Sequence, residues 1–236
     1  MPADQNAPAD PNTVAGSNPP AGGAPAAYLY VMDTLADWET GYLTAELNSG
    51  RCFAVPGTNL PVRTVGLTPD PVTTMGGIRI VPEVVIGDLP AAAVAVLILP
   101  GGETWLEPRH DPVLALAADL LAAGTPVAAI CGATMALGNA GMLDERRHTS
   151  NDPGTLREMC QGYAGASRYA DEPAVTDGDL VTSSGLAPVE FARETLARLG
   201  VFSPATLAAW YRLMTERSPE AFAALTDSLP RTDPVR

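Results

Sequence analysis

Short apolar runs alternate with amphipathic stretches from Ala27 almost to the end of the chain. Residues 28–32 form an apolar run of strand length. Residues 37–47 carry helical spacing, with Asp37 as the start signal and Asn48, Ser49 and Gly50 as the stop. Residues 52–55 and 62–67 read as strands interrupted by Pro56 and Gly57. Between residues 73 and 89, the Gly76-Gly77 pair and the spacing of Ile78, Ile80, Val84 and Ile86 predict short antiparallel strands. Residues 94–99 and 126–130 are continuously apolar, as expected of parallel strands covered on both faces, and residues 111–123 between them predict a helix. A short helix over 151–162 follows, then two strands within 174–183 joined at Asp177-Gly178, then helices over 188–199, 204–216 and 219–225.

Strands alternating with helices predict an α/β fold of flavodoxin-like type, a doubly wound and mostly parallel sheet with helices on both faces. Such a sheet carries its active site at the carboxyl ends of the strands. Residues 1–26, rich in Ala, Pro, Gly, Asn and Asp, hold too little apolar surface to order themselves and are expected to be a disordered tail. Residues 27–200 make the α/β domain, and residues 201–236 a helical extension packed on it.

One reactive side chain sits at such a strand end. Cys131 follows the apolar run 126–130 and precedes the helix-forming Gly132, Ala133, Thr134, Met135, Ala136 and Leu137, so strand, tight turn and helix meet at a thiol. Helix amides beneath a thiol lower its pKa. Gly101 and Gly102 follow the run 94–99 directly, and a glycine there can turn its N–H outward without a side chain in the way. The amides of Gly102 and Gly132 are therefore candidate donors of an oxyanion hole. Glu39, just inside the first helix, is placed to lean over the sheet edge. A protonated carboxyl there donates to a thiolate and depresses the thiol pKa, while its own pKa rises. Asp37 is assigned to the helix dipole. Trp38 and Trp105 flank the same edge.

Composition removes several classes of function. The 236 residues are 46% hydrophobic, enough for one sizeable core. No apolar run approaches the roughly 20 residues that span a bilayer, so a cytoplasmic protein without membrane contact is expected. A net charge of −13 argues against nucleic acid as a partner. All 14 basic side chains are arginines, so Schiff-base, pyridoxal-phosphate and P-loop chemistry lack their amine. Cys52, Cys131 and Cys160 lack C-x-x-C spacing, and with only His110 and His148 available no metal site and no cofactor is expected.

The segments Ala36-Asp37-Trp38-Glu39-Thr40, Leu99-Pro100-Gly101-Gly102 and Ala128-Ala129-Ile130-Cys131-Gly132 resemble, in order and spacing, the ThiJ/PfpI superfamily of class I glutamine amidotransferase-like folds. The resemblance covers about residues 27–200. It implies Cys131 as the nucleophile, Glu39 as the carboxyl partnering its sulfur, Gly102 and Gly132 as amide donors, a homodimer, and no organic cofactor. Two departures stand out. Where many members carry a histidine about twenty residues after the cysteine, the run His148-Thr149-Ser150-Asn151 ends in asparagine, so the usual imidazole is missing, with Asn151 a candidate site residue at its place, or displaced to His148. The place after the cysteine, histidine in protease-like members, is Gly132, and no histidine follows His148 to complete a glutaminase triad. The expected function is a cysteine-dependent hydrolase or hydratase-lyase acting on a small electrophilic substrate, like the isonitrile hydratase or glyoxalase and deglycase members, rather than a glutaminase. A redox sensor working through oxidation of Cys131, or an inactive scaffold, are the alternatives.

Overall fold

A computed structural model describes residues 24–230. Its first strand, β1 (Ala26–Tyr30), enters the middle of the sheet and is followed by helix α1 (Gly41–Ser49) and by β2 (Val62–Gly66). A two-stranded hairpin, β3 (Val72–Thr73) with β4 (Arg79–Ile80), stands apart from the sheet, and β5 (Val84–Val85) returns to its edge. Strand β6 (Val94–Leu99), helix α2 (Asp111–Ala122), strand β7 (Val127–Ile130) and helix α3 (Gly132–Asn139) form the centre. Helix α4 (Pro153–Met159), the hairpin β8 (Ala174–Asp177) and β9 (Leu180–Ser183), and helices α5 (Pro188–Leu199), α6 (Pro204–Glu216) and α7 (Pro219–Ser228) complete the fold.

The sheet order is β5-β2-β1-β6-β7-β9-β8, parallel throughout except for the final pair. Alternate residues of β6 feed two cores. Leu97 and Leu99 pack on one face with Val113, Leu120 and Leu137, and Val96 and Ile98 on the other with Phe191, Leu196 and Trp210. A strand sandwiched in this way must be apolar at every position, which is why residues 94–99 show no alternation. Helices α4, α6 and α7 begin at Asp152, Ser203 and Ser218, whose side chains each accept an amide of the first turn, with proline at the following position.

The helical extension is tied down by a polar contact through the core. Trp210 Nε1 donates to Glu46 Oε1 at 2.9 Å, and Arg51 pairs with the same buried carboxylate. Among the described residues no helix is long and apolar enough to cross a membrane.

Several local expectations are corrected. The first helix starts at Gly41, four residues later than its pattern suggested. The intervening turn is held from outside, by Asp33 Oδ1 accepting the Thr73 amide at 2.8 Å and Asp37 Oδ2 accepting the Gly76 amide at 2.6 Å. Asp37 thus serves the β3–β4 hairpin and not a helix dipole. Residues 52–55 form no strand, although Cys52 and Phe53 are buried. Strand β5 pairs parallel with β2, so antiparallel pairing in this region is confined to β3 and β4. The first strand begins at Ala26, one residue inside the expected tail; residues 1–23 of that tail lie outside the described residues.

Candidate active site

Adjacent pairing of β1 with β6 and of β6 with β7 brings three strand ends together. Cys131 leaves β7 with φ 59° and ψ −125°, a backbone shape that costs a residue with a Cβ about 1–3 kcal/mol. Its neighbours hold it there. The Cys131 amide donates to Ser183 O at 3.0 Å, and the Thr134 amide and hydroxyl donate to Cys131 O at 3.0 and 2.6 Å. The strain aims the thiol out of the sheet edge, half-buried.

Glu39 is fully buried. Its Oε2 accepts the Gly101 amide at 2.5 Å, and its Oε1 is a buried oxygen with no hydrogen-bond partner among the described residues. That oxygen faces the sulfur: a Cβ placed on Gly185 would lie 2.8 Å from Glu39 Oε1 and 2.9 Å from Cys131 Sγ. A Cβ on Gly101 would meet both carboxylate oxygens at 2.5 Å and Cys131 Cβ at 2.8 Å. Glycine at 101 and 185 is what allows the carboxyl and thiol to share this space.

Asn151 closes the opposite side. Its Nδ2 donates to Cys131 Sγ at 3.2 Å, while its Oδ1 accepts the Gly185 amide at 2.8 Å. Since a backbone amide can only donate, the Gly185 contact fixes the amide's orientation and leaves NH₂ for the sulfur. Gly132 packs directly on Gly102, whose carbonyl oxygen would lie 2.6 Å and whose nitrogen 3.4 Å from a Cβ at 132.

The electrostatics differ from expectation. Burial pushes the Cys131 thiol above its ordinary value; donation from Asn151 and the Gly132 amide draws it down, and the Glu39 carboxylate pushes it up again. Burial likewise raises Glu39, against the Gly101 amide and the thiol contact, which lower it. The helix amides therefore do not win, because the desolvated sulfur loses more from water than it gains from them. Each group thus opposes a negative charge on the other, so the two titrate as a coupled pair.

The remaining candidates lie elsewhere. His148 makes no hydrogen bond to the thiol: it is fully buried, with Nδ1 at 2.7 Å from Arg146 O and Nε2 at 2.7 Å from the Tyr163 hydroxyl. The displaced-histidine expectation is thereby removed, both ring nitrogens being committed. His110 is buried between the Tyr30 hydroxyl and Thr104 Oγ1, at 2.8 and 3.0 Å. Trp105 is buried, donates to Pro100 O at 2.7 Å and rests against Gly132, supporting the loop rather than lining an entrance. Exposed Trp38 reaches across the site to donate to Gly185 O at 3.2 Å. Gly185 was not anticipated; its signal was a Ser183-Ser184-Gly185 run at the carboxyl end of the strand beside β7.

Residues 25–198 match the family model of the DJ-1/PfpI family. The chain is 47% identical over 204 residues, 86% of its length and 97% of the relative's, to the uncharacterized protease YoaZ of Bacillus subtilis. It is 32% identical over 178 residues, 75% of its length and 85% of the relative's, to the uncharacterized protease YdeA of the same organism. Among solved structures, a thiJ/pfpI family protein from Bacillus anthracis superposes with a TM-score of 0.84 at 46% identity, covering 88% of this chain and 98% of that one. The DJ-1 superfamily protein Atu0886 from Agrobacterium tumefaciens superposes with a TM-score of 0.70 at 30% identity, covering 82% and 100%.

Proposed function

The chain belongs to the DJ-1/PfpI family, and from that premise we propose that it is a cysteine-dependent enzyme whose Cys131 adds to the electrophilic carbon of a small molecule. The observation that carries this reading is the buried, unpartnered Glu39 Oε1 facing the sulfur. A buried oxygen without a donor is costly unless it accepts or carries a proton, and here the thiol is the available source.

In the proposed reaction the Sγ–C bond forms as the thiol proton passes to Glu39 Oε1; the carbonyl pair of an α-oxoaldehyde moves onto its oxygen, whereas the carbon of an isonitrile keeps its pair as a thioimidoyl anion. Burial raises both groups, and the raised carboxyl is a stronger proton acceptor than an ordinary one. The amides of Gly102 and Gly132 receive the developing negative charge, a contribution of about 3–4 kcal/mol per donor in a well-studied protease. Asn151 holds charge on sulfur but cannot relay a proton. Glu39 then returns its proton, to the isonitrile carbon or to the aldehyde oxygen; water adds to the resulting thioimidate and the thiol leaves to give a formamide, whereas the hemithioacetal isomerises through an enediol to a 2-hydroxy thioester that water hydrolyses.

The protease designation of the Bacillus relatives agrees in kind with a thiol hydrolase. Peptide cleavage must also protonate a poor amine leaving group, normally by imidazole, and both histidines of this chain are engaged away from the thiol. Substrates that accept addition without expelling an amine, such as isonitriles and α-oxoaldehydes, fit better. A homodimer in the cytoplasm is proposed with it. The redox alternative draws less support, since a peroxide-sensing cysteine needs a standing thiolate and burial opposes one here.

The test is turnover of Cys131→Ser on a panel of isonitriles, α-oxoaldehydes and small amides. Loss of at least about a hundredfold is expected. Undiminished turnover of a substrate that the wild type processes overturns the reading.

A further inference from the structure

A second cavity, of about 290 Å³, opens at the carboxyl ends of β1 and β2 and beside the loop after β6, and its lining includes none of Cys131, Glu39, Gly102, Gly132 or Asn151. Its place in the fold is informative. Helical connections carry the chain from β1 outward to β2 in one direction and to β6 and β7 in the other, so the topological switch lies between β1 and β6. Doubly wound sheets hold ligands in the crevice outside that switch, and the thiol lies one strand further along. Met32, packed on Gly102, and the stack of Trp105 on Tyr30 and His110 form the wall between the two sites.

The lining combines two opposite charges with an apolar wall. Arg109 and Asp33 both face the cavity, yet among the described residues they form no ion pair with each other. Arg109 Nε pairs with Glu107 at 2.9 Å, which leaves its terminal nitrogens without an ion-pair partner among the described residues. Asp33 uses Oδ1 for the Thr73 amide, and Oδ2 has no hydrogen-bond partner among the described residues. Met32, Leu67 and Val72 supply the apolar wall. The floor is neutral: Tyr30 and Thr104 occupy both nitrogens of His110, and burial lowers that imidazole's proton affinity.

We propose that this cavity is a binding site for a small zwitterion of the apolar amino-acid class, its carboxylate on Arg109, its ammonium on Asp33 and its side chain against Met32, Leu67 and Val72. The volume of about 290 Å³ is roughly that of ten waters at ~30 Å³ each, room enough for leucine or valine. Two opposite charges that line one pocket without pairing recognise a ligand that meets both, because each charge-assisted contact is strong only with its own partner present.

Calorimetric titration of the full chain with L-leucine, 4-methylpentanoate, isoamylamine and glycine tests the proposal. Saturable one-site binding of leucine is expected, with the carboxylate-only, amine-only and side-chain-free probes each at least about tenfold weaker. Arg109→Gln and Asp33→Asn should each weaken leucine at least about tenfold; asparagine keeps the acceptor for Thr73, so the fold is spared. Thr68→Trp, from the exposed rim, should block the cavity, with circular dichroism confirming that each variant is folded. Alkylation of Cys131 should leave leucine binding unchanged. The proposal is overturned by absence of saturable binding up to about 10 mM, by full affinity in both charge variants, or by loss of binding on Cys131 alkylation, which would assign the ligand to the thiol site instead. None of these outcomes depends on whether Cys131 turns over a substrate.

Discussion

Asn151 Nδ2 donates to Cys131 Sγ at 3.2 Å because the Gly185 amide, 2.8 Å from Asn151 Oδ1, fixes which end of the carboxamide faces the sulfur. The side chain thus stabilises a thiolate without being able to accept its proton, and that division of labour gives the site its testable properties.

Asn151→Ala removes the donor, so the thiol should titrate higher and alkylate more slowly at neutral pH, by about tenfold for each unit of upward shift. Asn151→Asp adds a like charge and should slow it further. His148→Asn should leave the alkylation profile of Cys131 unchanged while lowering thermal stability, since it disturbs buried contacts with Arg146 O and Tyr163 and none with the thiol. Mass-resolved iodoacetamide kinetics across pH 6–10, following the Cys131 peptide separately from those of Cys52 and Cys160, decide these outcomes.

Glu39→Gln should separate reactivity from turnover. Removing the carboxylate lifts one of the influences that push the thiol upward, so alkylation should become faster at neutral pH. Turnover should nevertheless fall by about 10²–10⁴-fold as the proton acceptor is lost. Parallel changes in both measurements would remove Glu39 from the proton-transfer role.

The same substitution has a signature in stability. Burial raises the folded-state pKa of Glu39 above its ordinary 4.5. The folded state therefore binds more protons than the unfolded chain between 4.5 and the raised value, and wild-type stability falls as pH rises through that window. Glu39→Gln, which keeps an acceptor for the Gly101 amide, abolishes this fall. It should be more stable than wild type at pH 8, by about 1.4 kcal/mol for each unit by which the pKa is raised, and equal to it below pH 4.5. Thermal unfolding at pH 4, 6 and 8 reads the crossover.

Much of this architecture was legible in the residues. The strand Val94–Leu99 and the helices Pro188–Leu199 and Pro204–Glu216 have the boundaries their patterns predicted, since full burial of the strand and proline starts of the helices leave local marks. Residues 33–40 misled because their conformation is set by Thr73 and Gly76, forty positions away, and no local pattern records such a contact. The juxtaposition of thiol and carboxyl was readable from strand ends and resemblance. The fate of the two histidines was not, because burial of an imidazole in a polar-looking run depends on Tyr30 and Tyr163, which only the fold delivers.

Gly185→Ala tests the shared space directly. The added methyl would stand 2.8 Å from Glu39 Oε1 and 2.9 Å from Sγ, and overpacking of this kind costs about 1–3 kcal/mol. Activity should fall far more than stability, since the methyl occupies the proton's route between the two groups. Unfolding midpoint and turnover, measured on one preparation, distinguish this from general destabilisation.

Gly185 also receives the indole N–H of exposed Trp38 on its carbonyl, at 3.2 Å, while its amide serves Asn151. One peptide segment therefore links a surface fluorophore to the side chain that holds the sulfur. Ligand arrival or chemical modification at Cys131 that shifts this segment will alter the hydrogen bonding of the indole, so the emission of Trp38 becomes a built-in optical readout of the thiol, against two tryptophans, Trp105 and Trp210, that stay sealed in the core.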